Sequence, residues 1–466
     1  MKESELEDDK VVITDQINDQ DESQDAPAEL TWTQSVRKIT SNKNFTVFLL
    51  TNWVFASFGV VNRYFNFFFR DIGITYTLIG ILASSVSLVS LTGFLFAGYL
   101  ADNYDRRHMA IITIGINTVA YIILAFANDF WSIALGFTTF GLSNFTGAGG
   151  TAYIMEQIDK RYGGVAVSLF TLGAVLGLVP LFFFGYLLDF GMTFLQVMRL
   201  FLLIAGIAYL FCTMARVLFL DPSPPLKRTN HSESMLSDFL SETKRGIKLL
   251  VKVFRIFIII ICLDALSDSF YGFASLFYVN ETLDFGIGEI NFMLLLTLCI
   301  SVPLTLYLGR VFDRHGGRRL TIAVYLVMPL AVSLLILAQG VTYIAPLEWR
   351  DAVDSVYPGL SVIFSLAFIA TAMKSINDVL WLSVINTYIQ KSLPRRDLGK
   401  MLALTTFFIL LLATVGPTPA GIIYELYEGL PLLMIALALN IIILAILVTK
   451  DIEPRLSAVE LEEVVV

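Results

Sequence analysis

The feature that most constrains this chain is a nearly uncharged apolar run of about twenty residues, which recurs twelve times. The runs lie at about 44–69, 77–99, 109–127, 130–154, 164–188, 196–219, 254–279, 289–308, 319–339, 359–389, 399–424 and 431–449. A helix of about 20 residues spans a hydrocarbon core about 30 Å thick. The core offers the backbone no water to bond, so such runs are expected to cross it as helices. Helices of a soluble fold carry polar faces, and about 25% of a soluble domain is charged. Here 15% of residues are charged and mean hydropathy is +0.72, which excludes that class. The expected fold is all-α and polytopic, with twelve transmembrane helices.

Charge gives the runs a direction. Cytoplasmic ends of spanning helices collect Lys and Arg. With the N-terminus inside, the inner segments hold Arg106, Arg107, Lys160, Arg161, the basic stretch from Lys227 to Arg255, Arg310, Arg314, Arg318, Arg319, and the residues from Lys391 to Lys400. The outer loops hold only Arg70 and Arg350, with Arg199 just inside the outer end of span six. A miscounted helix would scramble this alternation, yet it holds from end to end. Both termini are therefore expected in the cytoplasm and the bilayer to be the cell membrane. The net charge of −8 does not point to nucleic acid or a basic partner. Residues 1–30 hold eleven acids and two lysines, so the excess sits in one tail. Residues 1–43 read as an acidic, disordered tail, without the basic start and apolar core of a cleavable signal.

The longest inner connection, 220–253, opens with Asp221-Pro-Ser-Pro-Pro225, which stops a helix. It runs into 235–253, where apolar and basic residues alternate at roughly helical spacing. That stretch reads either as a helix on the inner membrane surface or as solvated linker. The connection divides the chain into an N-terminal half, 44–219, and a C-terminal half, 254–449, followed by a tail, 450–466. The halves resemble each other. Gly98-Tyr-Leu-Ala-Asp102 and Gly309-Arg-Val-Phe-Asp313 each follow the second span of their half, and Arg70-Asp-Ile-Gly-Ile74 matches Leu283-Asp-Phe-Gly-Ile287. Paired halves of six spans are a transporter architecture.

Two loops carry a family resemblance. Gly98-Tyr-Leu-Ala-Asp-Asn-Tyr-Asp-Arg-Arg107 and Gly309-Arg-Val-Phe-Asp-Arg-His-Gly-Gly-Arg-Arg319 resemble the signature loop of the Major Facilitator Superfamily, G-x-L-x-D-R-x-G-R-K/R. The second copy keeps Asp313, Arg314, Gly316 and Arg318. The first keeps Gly98, Asp102, Arg106 and Arg107 but has Asn103 where Arg is usual and Asp105 where Gly is usual. Asp tolerates a left-handed turn better than most residues. In each copy an Asp at a helix end faces arginines at the membrane surface, a pair able to hold the inner side shut and release it. The resemblance adds Glu156, at the inner end of span four, as a partner of Asp102 and Arg106. The bland alternative is positive-inside decoration. Signatures of drug antiporters and sugar porters are partial or missing.

An ionisable residue inside a spanning helix is costly, and is usually paired, cavity-facing or functional. Five stand out: Arg63 on span one, Asp264 and Asp268 on span seven, Lys374 and Asp378 on span ten. Each pair is four residues apart and shares a helix face. The resemblance implies that spans one, four, seven and ten line a central cavity. The five charges are candidates for proton coupling or solute binding, and a static neutral network is the competing reading. Asn62, Tyr64, Asn66, Asn144, Tyr271, Asn377 and Trp381 are candidate solute contacts. Phe67, Phe68 and Phe69 are expected to face lipid or the outer interface, and Cys212, Cys262 and Cys299 to pack as small apolar residues.

No phosphate loop, metal-ligand cluster or nucleophile–base pair is present in the sequence, so neither a cofactor nor chemical catalysis is implied. The expected function is secondary transport of a small solute by alternating access, coupled to protons and carried out by a monomer in the bilayer. A transporter-like receptor that binds a solute without moving it is the alternative from another class. Efflux and uptake are both open.

Overall fold

Polar residues at the ends of the apolar runs start the helices. A computed structural model describes residues 32–156, 158, 163–222, 255–315, 318–392 and 398–450. Asn42 and Thr75 accept hydrogen bonds from backbone N–H groups three residues on. Asp129 with Ser132, and Thr193 with Gln196, form reciprocal capping boxes. The Ser132 amide holds the Asp129 carboxyl below the ordinary carboxylate range.

A short helix α1 (Trp32–Thr40) precedes the bundle. Span one is α2 (Lys43–Gly59), a 3-10 turn (Val60–Tyr64) and α3 (Phe65–Asp71). Spans two and three are α4 (Tyr76–Asn103) and α5 (Arg106–Ala125). Span four joins α6 (Phe130–Leu142) to α7 (Asn144–Glu156), and span five joins α8 (Gly163–Val175) to α9 (Leu178–Asp189). Span six is α10 (Phe194–Phe219). Spans seven to nine are α11 (Arg255–Phe277) with a π turn (Tyr278–Thr282), α12 (Ile287–His315) and α13 (Arg318–Leu337). After the loop helix α14 (Leu347–Asp354), span ten is α15 (Leu366–Ser392). Span eleven joins α16 (Leu398–Val415) to α17 (Pro417–Tyr427), and span twelve is α18 (Gly429–Thr449). Among the described residues, eight helices are long and apolar enough to cross a membrane unaided. The remaining four crossings have visible reasons to fall short. Spans four and five are broken at mid-length, the side chains of α12 are described without interruption only over 287–301, and α15 carries Lys374 and Asp378.

Several expectations change. Residues 32–40 are helical rather than part of a featureless tail, and Ser35 and Ile39 are buried. Span ten begins at 366, because Gly359 takes φ 82° and a 3-10 turn follows it. Asp105 is not left-handed. Its φ is −59°, and its side chain caps α5 by accepting from the Arg107 amide. Phe67, Phe68 and Phe69 are at most 5% exposed and pack inside the bundle, not against lipid. Cys212 is buried as expected, but Cys299 is exposed. Residues 1–31, 223–254 and 451–466 lie outside the described residues, and with them most of the two tails and the 235–253 segment.

The buried apolar side chains form three clusters. One belongs to both halves and sits at the end of the bundle bearing the 71–75, 190–193, 283–286 and 427–428 turns. We call this the far end, and the end bearing residues 43 and 449 the terminal end. The other two clusters lie toward the terminal end. One contains only N-half residues, among them Phe45, Phe48 and Tyr153. The other contains only C-half residues, among them Phe257, Ile261 and Trp381. Among the described residues, the core is undivided at the far end and falls into two clusters toward the terminal end.

Candidate solute path

Where the core parts, the structure brings charges together. Lys374 Nζ lies 2.9 Å from Asp268 Oδ1 and hydrogen-bonds to Asp378. The Lys374 side chain is 8% exposed, whereas those of Asp268 and Asp378 are 44% and 47% exposed. The ammonium is therefore enclosed while both carboxylates reach into open space. Tyr271 closes one side of the site, its ring centroid 5.4 Å from Nζ. Arg63, on the 3-10 turn of span one, is exposed and acts electrostatically on Asp378 from the other half. It makes no ion pair among the described residues. The Asn377 side-chain oxygen is buried without a hydrogen-bond partner among the described residues. Asn66 is half-buried on α3.

Asp264 does not join this cluster, although it shares a helix face with Asp268. It accepts from Tyr325 Oη at 3.0 Å and Trp381 Nε1 at 2.7 Å, and the same Tyr325 oxygen lies 2.8 Å from the Asn440 side-chain amide. Spans seven, nine, ten and twelve are thereby tied together inside the C-half. Other candidate contacts also bond within the protein. Asn62 accepts from Tyr121 Oη at 2.5 Å, and Asn144 donates to Ser90 Oγ at 3.0 Å.

The far end is closed by two seams between the halves. In the first, α4 and α17 run antiparallel with small residues in register. A Cβ on Gly80 would lie 3.2 Å from the Gly421 Cα and overlap the Pro417 carbonyl, and a Cβ on Gly421 would overlap the Tyr76 carbonyl. This is close backbone approach of the small-residue kind. Thr418 Oγ1 meets Ser84 Oγ at 2.8 Å, and the Thr77 amide donates to Glu425 at 3.2 Å. Glu281 accepts from Tyr76 and from Tyr424, the latter at 2.9 Å, and so bridges spans two, seven and eleven. The second seam centres on Asn291 of α12, which is 3% exposed. It accepts from Tyr64 Oη at 2.8 Å and donates to the Leu181 carbonyl at 2.9 Å. Beside it, Tyr357 donates to Asp189 at 3.3 Å, and partial burial and that carboxylate push its phenol pKa up.

Glu281→Gln will loosen the first seam. Replacing a charged acceptor with a neutral one at this partly exposed site costs about 1.4 kcal/mol, or tenfold in the closed population. Spin labels at Met192 and Ser355, with the native cysteines replaced, will report a longer far-end distance. An unchanged distribution would deny Glu281 this role.

At the terminal end, two signature-loop arginines occupy matching places. Arg107 donates to the Val217 carbonyl at 2.7 Å, and Arg318 donates to the Val448 carbonyl at 2.5 Å. Each neutralises the carbonyl end of the last helix of its own half, where a cation is favoured. Arg106 is half-buried at the start of α5. The side chains of Asp102, Glu156, Asp313 and Arg314, the environments of Gly98 and Gly309, and the whole of Gly316 lie outside the described residues.

Two residues escaped the sequence reading. Glu281 reads in the sequence as an ordinary acid of an outer loop. Arg216 lies in the last turns of α10 and looked like the end of an apolar run. It is 3% exposed, with its guanidinium 4.1 Å from the centroid of the Phe48 ring.

A helical bundle of two matching halves, sealed at one end and parted around buried charges, has the build of a membrane carrier. A family model for the Major Facilitator Superfamily matches residues 45–377, and the chain belongs to that family of transporters. A segment of 133 residues is 29% identical to a probable 4-methylmuconolactone transporter of Cupriavidus pinatubonensis, covering 27% of this chain and 30% of that protein. The fold matches a bacterial homolog of the human lysosomal transporter Spinster in an inward-facing, occupied conformation, with a TM-score of 0.64. That match has 12% identity and covers 89% of this chain and 98% of the other. It also matches the nucleoside transporter NupG, with a TM-score of 0.61, 13% identity and coverage of 88% and 99%. A D-xylose–proton symporter gives a TM-score of 0.60, 16% identity and coverage of 91% and 99%.

Proposed function

We propose that this protein is a proton-coupled secondary transporter that moves a small organic solute by alternating access, with both termini in the cytoplasm and the far end outside. The observation that carries the reading is the core that, among the described residues, is continuous at the far end and in two clusters toward the terminal end, with Arg63 acting electrostatically on Asp378 beside Lys374 and Asp268. In this arrangement the cell-membrane protein stands open to the cytoplasm. Solute enters between the halves, and rocking about the charge cluster exchanges the terminal-end opening for a far-end one. Two half-exposed carboxylates share one enclosed ammonium. A proton on either leaves the other to hold Lys374, so the cluster can change charge without abandoning the buried cation. Arg63 brings a second cation, from the opposite half, to the same space.

The test is flux in proteoliposomes loaded with a pH-sensitive dye and challenged with a panel of small organic solutes. Solute addition is expected to move protons in the wild type. Asp268→Asn or Asp378→Asn, each leaving one partner for Lys374, will abolish proton movement while preserving solute exchange. Solute flux indifferent to the gradient, and equal in the variants, would overturn the coupling.

A further inference from the structure

We infer that the N-terminal half holds a second ligand site, for a small monocarboxylate with an apolar body, built on Arg216. A cation buried in a membrane helix ordinarily has a carboxylate partner. Arg216 has none among the described residues. Its Nε donates to Thr51 Oγ1 at 2.9 Å and its Nη1 to the Ala110 carbonyl at 2.6 Å. Both partners are neutral, and Nη2 is left without a protein acceptor among the described residues. Among the described residues, the positive charge is held in place but not compensated.

Arg216 borders a partly open cavity of about 280 Å³ lined by residues of spans one, three, four, five and six. Every wall comes from the N-half, so this space is distinct from the charge cluster between the halves. The room is made by α7, where a Cβ on Gly147 would meet nothing within 4 Å. Polar groups are few: Arg216, the Asn52 amide and the Thr113 hydroxyl. Thr113 already bonds the Met109 carbonyl and Thr146, whereas Asn52 makes no hydrogen bond among the described residues. Phe48, Phe55 and Phe170 supply apolar wall.

These features select the ligand class. An arginine edge beside an amide matches a carboxylate. One cation neutralises one negative charge, so a phosphate dianion would leave an uncompensated charge in an apolar chamber. The volume equals the share of about nine waters, which suits one ring bearing a carboxylate. Phenylalanine walls reject a second polar group on the ring.

The test uses the purified full-length protein with benzoate as probe, and benzamide and inorganic phosphate as comparators. Benzoate at millimolar concentration will raise the melting temperature by roughly 2–4 °C, and benzamide and phosphate will not. The shift will vanish in Arg216→Gln. It will also vanish in Gly147→Val, which fills the chamber without touching the arginine and decides the matter if Arg216→Gln does not fold. Arg63→Gln will keep the shift. Equal shifts with benzoate and benzamide, a shift with phosphate but not benzoate, or persistence of the benzoate shift in Gly147→Val would each overturn the proposal. So would loss in Arg63→Gln with retention in Arg216→Gln, which would place the carboxylate at the charge cluster between the halves instead. The inference does not depend on proton coupling, whose failure would leave these shifts unchanged.

Discussion

Removing both carboxylates that hold Lys374 will destabilise the protein more than removing Lys374 itself. The asymmetry follows from exposure. Lys374 is enclosed, so the Asp268→Asn, Asp378→Asn double variant strands a cation with no access to water. Stranding one partner of a buried ion pair costs about 3–5 kcal/mol. Lys374→Met strands two carboxylates that already reach open space and can hydrate, so its cost falls to about 1–2 kcal/mol. The triple variant, with all three charges removed, will regain most of the loss, because hydrophobic or neutral replacements of a whole buried cluster are often tolerated. Thermal unfolding in one detergent gives the ranking: double variant lowest, Lys374→Met intermediate, triple variant nearest wild type. A triple variant no more stable than the double one would show that the charges do not act as a unit. On the proton coupling proposed above, the triple variant will fail to move protons.

Gly421→Val will abolish transport while leaving each half folded. The Cβ it adds collides with the Tyr76 carbonyl and approaches the Gly80 Cα, both backbone atoms that cannot swing aside. The α17 helix must withdraw from α4, which weakens the Thr418–Ser84 and Thr77–Glu425 bonds in the same seam. Overpacking of this kind costs about 1–3 kcal/mol, a factor of about 5 to 150 in the closed population. Gly421 faces the other half, so the cores inside each half are undisturbed. The measurements are solute flux and the far-end distance between labels at Met192 and Ser355. Wild-type flux with a short distance would show that the seam tolerates a side chain.

Much of this was legible in the sequence because a membrane imposes length and polarity rules on each run separately. Twelve crossings follow from local chemistry, and so do the caps at Thr75, Asp129 and Thr193, although they were not singled out from the sequence. What was hidden depends on which neighbour arrives. Asp264 and Asp268 look equivalent on one helix, yet Tyr325 and Trp381 claim the first and Lys374 the second. Phe67, Phe68 and Phe69 have the composition of lipid-facing residues. Phe67 instead meets Phe277 of the other half, 5.2 Å between centroids. Hydrophobicity does not separate the two cases, since lipid and protein interior are equally apolar. Asp105 replaces a glycine of the signature loop by turning from a strained conformation to a capping role. Arg216 was invisible because a cation near the end of a run is ordinary unless its surroundings are known.

The bond between Tyr64 and Asn291 joins residues 227 positions apart. During synthesis, the N-terminal half enters the bilayer long before span eight exists. Until then lipid can solvate its exposed rings but offers nothing to the Tyr64 hydroxyl. The first half must therefore wait, apolar faces satisfied and one polar group not, which makes the second half a required partner for its final packing. Insertion of the two halves is sequential, but completion of the seam is a single late event.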